Sequence, residues 1–163
     1  MTEEKEFDEM QAHKKMAVNL FNGTWDLMDK QDRSKEEEDK MIHSAHASRY
    51  HWGEVVAAGT PKTAPINIER GEWQVSRVYA ILGRAEPALF HAGRCLEICE
   101  ENGIGDFDIA FAYEAMARAH SIGGNHAEFE RYLQMAKEAG AKIKEKGDRD
   151  YFLGDLKTVP GYG

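Results

Sequence analysis

Apolar residues recur along this chain at steps of three, four and seven, the spacing of one face of a helix. Between residues 7 and 30 they fall at Phe7, Met10, Ala17, Leu20, Phe21, Trp25 and Met28, which predicts a first helix with a wide buried side. Gln31-Asp32-Arg33 is the turn. Ser34, with Glu37 three residues later, forms a capping box that opens a second helix over about 35–56, striped by Ile42, Ala45, Trp52 and Val56. Gly59, Pro61 and Pro65 place a loop over 57–68. Asn67 then caps a third helix over about 68–82, stopped at Gly83, and a fourth covers about 86–101, stopped by Asn102-Gly103. Asp106 caps a fifth that runs to Ile122 and ends at Gly123-Gly124. Asn125 with Glu128 opens a sixth that continues to about Lys146, where Gly147 closes it, and a short seventh spans about 149–156. The pattern predicts an all-α chain of six main helices, joined as antiparallel hairpins, plus a short C-terminal helix.

Composition narrows the function classes. At 163 residues, 42% hydrophobic and 31% charged, the chain suits a single domain with a real core. Its net charge of −8 repels a phosphate backbone, so no nucleic-acid partner is expected. No run approaches the roughly 20 apolar residues of a membrane span. The acidic start, Met1 to Glu6, has no apolar stretch behind it, which makes the cytoplasm the expected compartment and leaves Cys95 and Cys99 reduced. No phosphate-cradling glycine loop, nucleophile elbow or HExxH zinc motif occurs, and no cofactor or catalytic residue is expected.

An internal match organises the helices. Gly83 and Gly124 lie 41 residues apart, each in the turn of a predicted hairpin. At the same offset Val75 aligns with Met116, Ser76 with Ala117 and Tyr79 with His120. In the following helices Ala88 aligns with Phe129, Ala92 with Leu133 and Cys95 with Ala136. A large–small pair and then an aromatic in one helix, with alternating sizes in the next, resembles the tetratricopeptide repeat, although the period is longer than that family's usual length of about 34. The resemblance implies stacked antiparallel helical hairpins in a right-handed superhelix. The chain would comprise an N-terminal hairpin (7–56), the loop (57–68), two repeat-like hairpins (69–146), and a capping helix and tail (147–163). It also implies a non-enzymatic module that binds a protein or peptide partner in its concave groove.

Carried onto this sequence, the groove-facing side of the repeat's first helix presents Trp73, Arg77 and Ile81 from one hairpin and Glu114, Arg118 and Ile122 from the next. An aromatic beside two arginines suits a peptide carboxylate or another anionic group. Arg49 falls between Ala45 and Trp52 on the apolar stripe, where a guanidinium needs either a carboxylate such as Glu54 or Glu72 or, with Trp52, a place in the same groove. The segment from His43 to Trp52 is the other unusual stretch. Asp39, His43 and His46 share a helix face and have the ligand types of a zinc or other transition-metal site, provided another helix supplies a further ligand. With Arg49, Tyr50 and His51, the same cluster offers an alternative small-molecule site. Polar histidines hydrogen-bonding at a hairpin interface explain the spacing more simply than a metal does. Cys95, matched by Ala136, reads as filling a small packing slot. A scaffold whose exposed faces make a homo-oligomer is a third reading.

Overall fold

The computed structural model describes residues 8–59 and 64–163. Among them are seven helices and no strand: α1 (Glu9–Asp29), α2 (Lys35–Ala57), α3 (Ala64–Ile81), α4 (Ala85–Asn102), α5 (Asp106–Ile122), α6 (His126–Ala141) and α7 (Lys146–Leu156). Successive helices within a compact unit pack on one another, as stacked hairpins do. Contacts divide the chain into two compact units, residues 1–64 and 65–163.

The first unit is the α1–α2 hairpin. Asp8 caps α1 by accepting from the Gln11 N–H at 3.1 Å, and the Ser34/Glu37 capping box starts α2 where the sequence places it. In the turn, the Arg33 guanidinium donates to the carbonyls of Leu27, Met28 and Lys30, groups that a helix end leaves unpaired. Small residues bring the two helices close. Ala17 and Ala45 are buried, and the Ser48 hydroxyl donates to the Ala17 carbonyl at 2.7 Å. Met28, Met41, Trp52 and Val55 fill the remaining interface.

The second unit repeats itself. α3 and α5 end in the same turn: Gly83 and Gly124 adopt φ of 73° and 76°, conformations open to glycine. The next N–H reaches back to the Tyr79 carbonyl at 2.9 Å in one turn and to the His120 carbonyl at 3.0 Å in the other. Tyr79 stacks on His91 and His120 stacks on Tyr132, at interplanar angles of 15° and 9°. Both ring pairs are related by the 41-residue offset, with histidine and tyrosine exchanged. Ala88 and Phe129, Ala92 and Leu133, and Cys95 and Ala136 are buried pair by pair.

The offset continues into α7. Phe111 is followed 41 residues later by Phe152, Glu114 by Asp155, and Ala115 by Leu156. Phe152 and Leu156 are fully buried, and Phe152 meets Phe111 edge to face at 4.8 Å. α7 thus stands in the place of the first helix of a third copy, in contact with α5 and α6 as α5 is with α4. Gly140 makes the room. A Cβ there would lie 2.3 Å from the Phe152 ring.

Four boundaries differ from the sequence pattern, one of them at α7, which begins at Lys146 rather than about 149 and so contains Gly147. α3 begins at Ala64 rather than 68, because Pro65 falls in the first turn, where its missing N–H costs nothing; Asn67 is therefore inside the helix. Of the expected 57–68 loop, residues 60–63 lie outside the described residues. α6 ends at Ala141 rather than 146: the chain turns at Lys142 to bury Ile143, and the Glu145 carboxylate caps α7 through the Asp148 N–H. Asp106 is the first residue of α5, not its cap. At φ 52°, its carboxylate instead accepts from the Lys144 N–H at 3.0 Å.

Candidate functional site

The row of α3 and α5 that the sequence assigns to a groove closes on itself. Trp73, buried, donates its indole N–H to Glu114 Oε1 at 3.1 Å. Arg77 Nη2 donates to the same oxygen at 3.0 Å, and Arg118 Nε donates to Oε2 at 2.7 Å. α7 supplies a second carboxylate, Asp155, held by Arg77 through two bonds of 3.2 and 2.5 Å and lying 3.8 Å from Arg118. Arg118 also donates to the hydroxyl of Thr158 at 2.8 Å. The Arg77 guanidinium lies over the Trp73 ring, 4.9 Å from its centroid. Four residues expected in one hollow, Trp73, Arg77, Glu114 and Arg118, do meet. They meet each other, beneath α7 and the tail.

Two cations and two anions make this cluster neutral, which is what burial requires. Burial pushes the Glu114 carboxyl upward, but Arg77 and Arg118 outweigh it and hold the group below its ordinary value. Burial likewise opposes the Arg77 charge, and Glu114 with Asp155 reverses that and keeps it firmly protonated.

A second buried cluster in the same unit has no cation. Glu69 on α3 is 1% exposed, and its Oε1 accepts from the thiols of Cys95 at 2.9 Å and Cys99 at 3.4 Å. Its Oε2 is buried and meets no hydrogen-bond partner among the described residues. Arg70, one residue on, turns to Asp108 at 2.8 and 3.1 Å. Burial, with the nearby Asp108 charge adding to it, pushes Glu69 up to about 7, even though the thiols pull the other way. Burial also raises the Cys95 thiol, which makes it a poor nucleophile. Cys95 does occupy a packing slot, as expected, but it shares that slot with a carboxyl the apolar pattern gave no reason to place there. The repeat register held the signal: Glu69 aligns with Ala110, a buried position.

The remaining candidates lie in the first unit. Trp52 is buried in the α1–α2 interface. Arg49 is half-buried, with a guanidinium nitrogen 3.3 Å from where Gly53 would carry a Cβ, so it runs along its own helix. Asp39, His43 and Tyr50 are exposed and His46 is half-buried. Among the described residues, no group of three or more His, Cys, Asp or Glu is placed to hold a metal ion. His51 instead meets His13 across the hairpin at 2.8 Å. Glu72 contacts His91 at 2.6 Å. Sequence reasoning also missed an open cleft of about 710 Å³ beside the start of α5, walled by Ile66, Ile104, Ile109, Tyr113 and Met135.

Comparison with protein-family models, with curated proteins and with solved structures finds no match to this chain. Its geometry therefore carries the functional argument alone. Among the described residues, no helix is long and apolar enough to cross a membrane.

Proposed function

We propose that the chain is a non-enzymatic interaction module of tetratricopeptide-like hairpins, and that the Trp73, Arg77 and Arg118 row on α3 and α5 is the floor on which a protein or peptide partner docks. The observation that carries this reading is Asp155. A carboxylate on a helix outside the two complete hairpins sits on both arginines of the row, so the floor recognises a helix-borne acid. The repeat-like placement of α7 supports the same reading, because a stack of first helices adds its next member on this side.

The chemistry of the partner follows from what α7 brings. Lifting α7 exposes Phe152, Leu156 and Val159, each buried, at roughly 1.5–3 kcal/mol apiece. A competing partner must restore that apolar contact as well as the charge. It is an amphipathic helix carrying an aromatic residue, an acid three positions later and an aliphatic residue next to it, the register of Phe152, Asp155 and Leu156.

A labelled peptide of residues 146–163 tests this by fluorescence anisotropy on the full-length chain. In wild type, the tethered copy competes and binding is weak. The double variant D155A/L156A unseats α7 and gains at least roughly tenfold in affinity for the added peptide, and adding Arg77→Ala removes the gain. Hydrogen exchange on α3 to α6 confirms that the variant remains folded. No binding by that variant up to millimolar peptide would end the reading and leave α7 a permanent cap.

A further inference from the structure

The open end of the α1–α2 hairpin, away from its turn at residues 30–34, is closed by two imidazoles. His13 Nδ1 and His51 Nδ1 lie 2.8 Å apart, with ring centroids 5.0 Å apart and tilted by 48°. Tyr50 sets its ring against both, at 6.4 and 5.6 Å. At this separation one nitrogen donates and the other must offer a lone pair. The contact therefore accommodates two neutral rings, or one neutral and one charged. Two imidazolium rings would turn two N–H groups and two like charges on each other.

We propose that His13 and His51 form a proton-sensitive latch on this hairpin, closed while the pair carries at most one positive charge and released when a second proton arrives. The groups that face the pair set the order of events. On α1, the exposed carboxylate of Glu9 lies 3.8 Å from His13 Nε2. On α2, Tyr50 sets its ring against the pair, and Glu54 favours charge on His51. Burial and the His13 charge outweigh Glu54 and lower the His51 affinity for a proton below the ordinary imidazole value. Release thus falls on the acid side of neutrality, where two carboxylates moderate the repulsion without cancelling it.

The Ser48–Ala17 hydrogen bond, one turn deeper, limits how far the opening spreads. Only the end of the hairpin frays: the start of α1 and the last turns of α2. This local response separates the latch from acid effects on the buried ion cluster, which belongs to the other unit.

Two measurements on the full-length chain test the latch. In an ¹⁵N imidazole titration, the two rings lose their protons as a coupled pair, the second proton binding roughly tenfold or more weakly than the first. In hydrogen exchange corrected for intrinsic rates, residues 9–17 and 48–57 open about tenfold more often at pH 5 than at pH 7.5. In His13→Gln, His51 titrates alone and this pH sensitivity disappears. Two independent titrations in wild type, or the same acid opening in His13→Gln, would overturn the proposal. Should His13→Gln fail to fold, the wild-type titration decides the matter.

Discussion

Two glutamates of the second unit are equally hidden from water and differ in almost everything else. Glu114 on α5 lies between Arg77 and Arg118 and keeps its charge. Glu69 on α3 lies against two thiols and holds a proton up to about pH 7. Burial pushes both carboxyls the same way, so depth does not separate them. The difference is whether a guanidinium comes with the acid. Position in the repeat explains why only one has that company. Arg77 and Arg118 stand at the same place in successive copies, and Glu114 lies between them, whereas the arginine nearest Glu69 turns outward to Asp108.

Removing the carboxyl from each site breaks the comparison most directly. Glu114→Ala leaves two buried guanidiniums with Asp155 as their one remaining carboxylate and strips the Trp73 indole of its acceptor. It costs about 3–5 kcal/mol, read as a lower urea midpoint at pH 7. Glu69→Gln at the same pH removes no ion pair and changes the midpoint little or raises it.

The pH dependence of the two sites has opposite sign. The folded chain holds the Glu69 proton up to about 7, whereas an unfolded chain releases it near 4.5. Folded protein therefore binds more protons in that window. The contribution of Glu69 is full below pH 4.5 and falls as pH rises toward 7, by about 3 kcal/mol in all, at 1.36 kcal/mol per unit. Glu114, held low, contributes at neutral pH, and its contribution is lost only as pH falls through its depressed folded value. Urea midpoints between pH 5 and 8 decline in wild type and flatten in Glu69→Gln. A wild-type profile flat over that range would show that Glu69 keeps an ordinary value.

How far the sequence spoke for these sites depends on which physical rule placed each residue. The helices were legible because apolar spacing and capping chemistry are local: Ser34 and Glu37 cap α2 as read, and Gly83 and Gly124 end their helices as read. The 41-residue match was legible for the same reason, and it brought Trp73, Arg77, Glu114 and Arg118 onto one row. What occupied that row was not legible. Asp155 reaches Arg77 from 78 residues away, and α7 was read as a cap with no register of its own. Extending the offset once more would have aligned Phe152 with Phe111 and Asp155 with Glu114. Glu69 escaped because a charged residue on a helix is read as solvated unless packing says otherwise. The His13–His51 contact joins two helices, and no periodicity within either one announces it.

The slot beside Glu69 has a counterpart in the next copy, where Ala110, Ala136 and Gly140 stand at the offsets of Glu69, Cys95 and Cys99. One hairpin fills its slot with polar groups. The other leaves it small, and the Phe152 ring enters. Gly140→Ala puts a methyl group where that ring lies, so α7 must shift, at about 1–3 kcal/mol. Cys99→Ala, the reciprocal change, removes one thiol from Glu69 and leaves α7 alone. Hydrogen exchange separates the two: Gly140→Ala loosens α7 selectively, and an unchanged α7 would mean that Phe152 has another rotamer available.

Asp155 is the intermediate case that sharpens the contrast, a carboxyl held by the same arginines as Glu114 but with 19% of its side chain exposed. Water and salt reach it, so its pairing is screened where that of Glu114 is not. Asp155→Asn keeps an oxygen that accepts from Arg77 and removes only the charge. The loss is about 1 kcal/mol at low ionic strength and shrinks toward zero in 1 M salt. The Glu114→Ala loss stays nearly constant over the same range, because the Glu114 carboxylate is fully buried between its arginines. If the two losses fell in parallel with added salt, the cluster would be open to solvent, and the difference between Glu114 and Glu69 would have to rest on something other than a buried counter-charge.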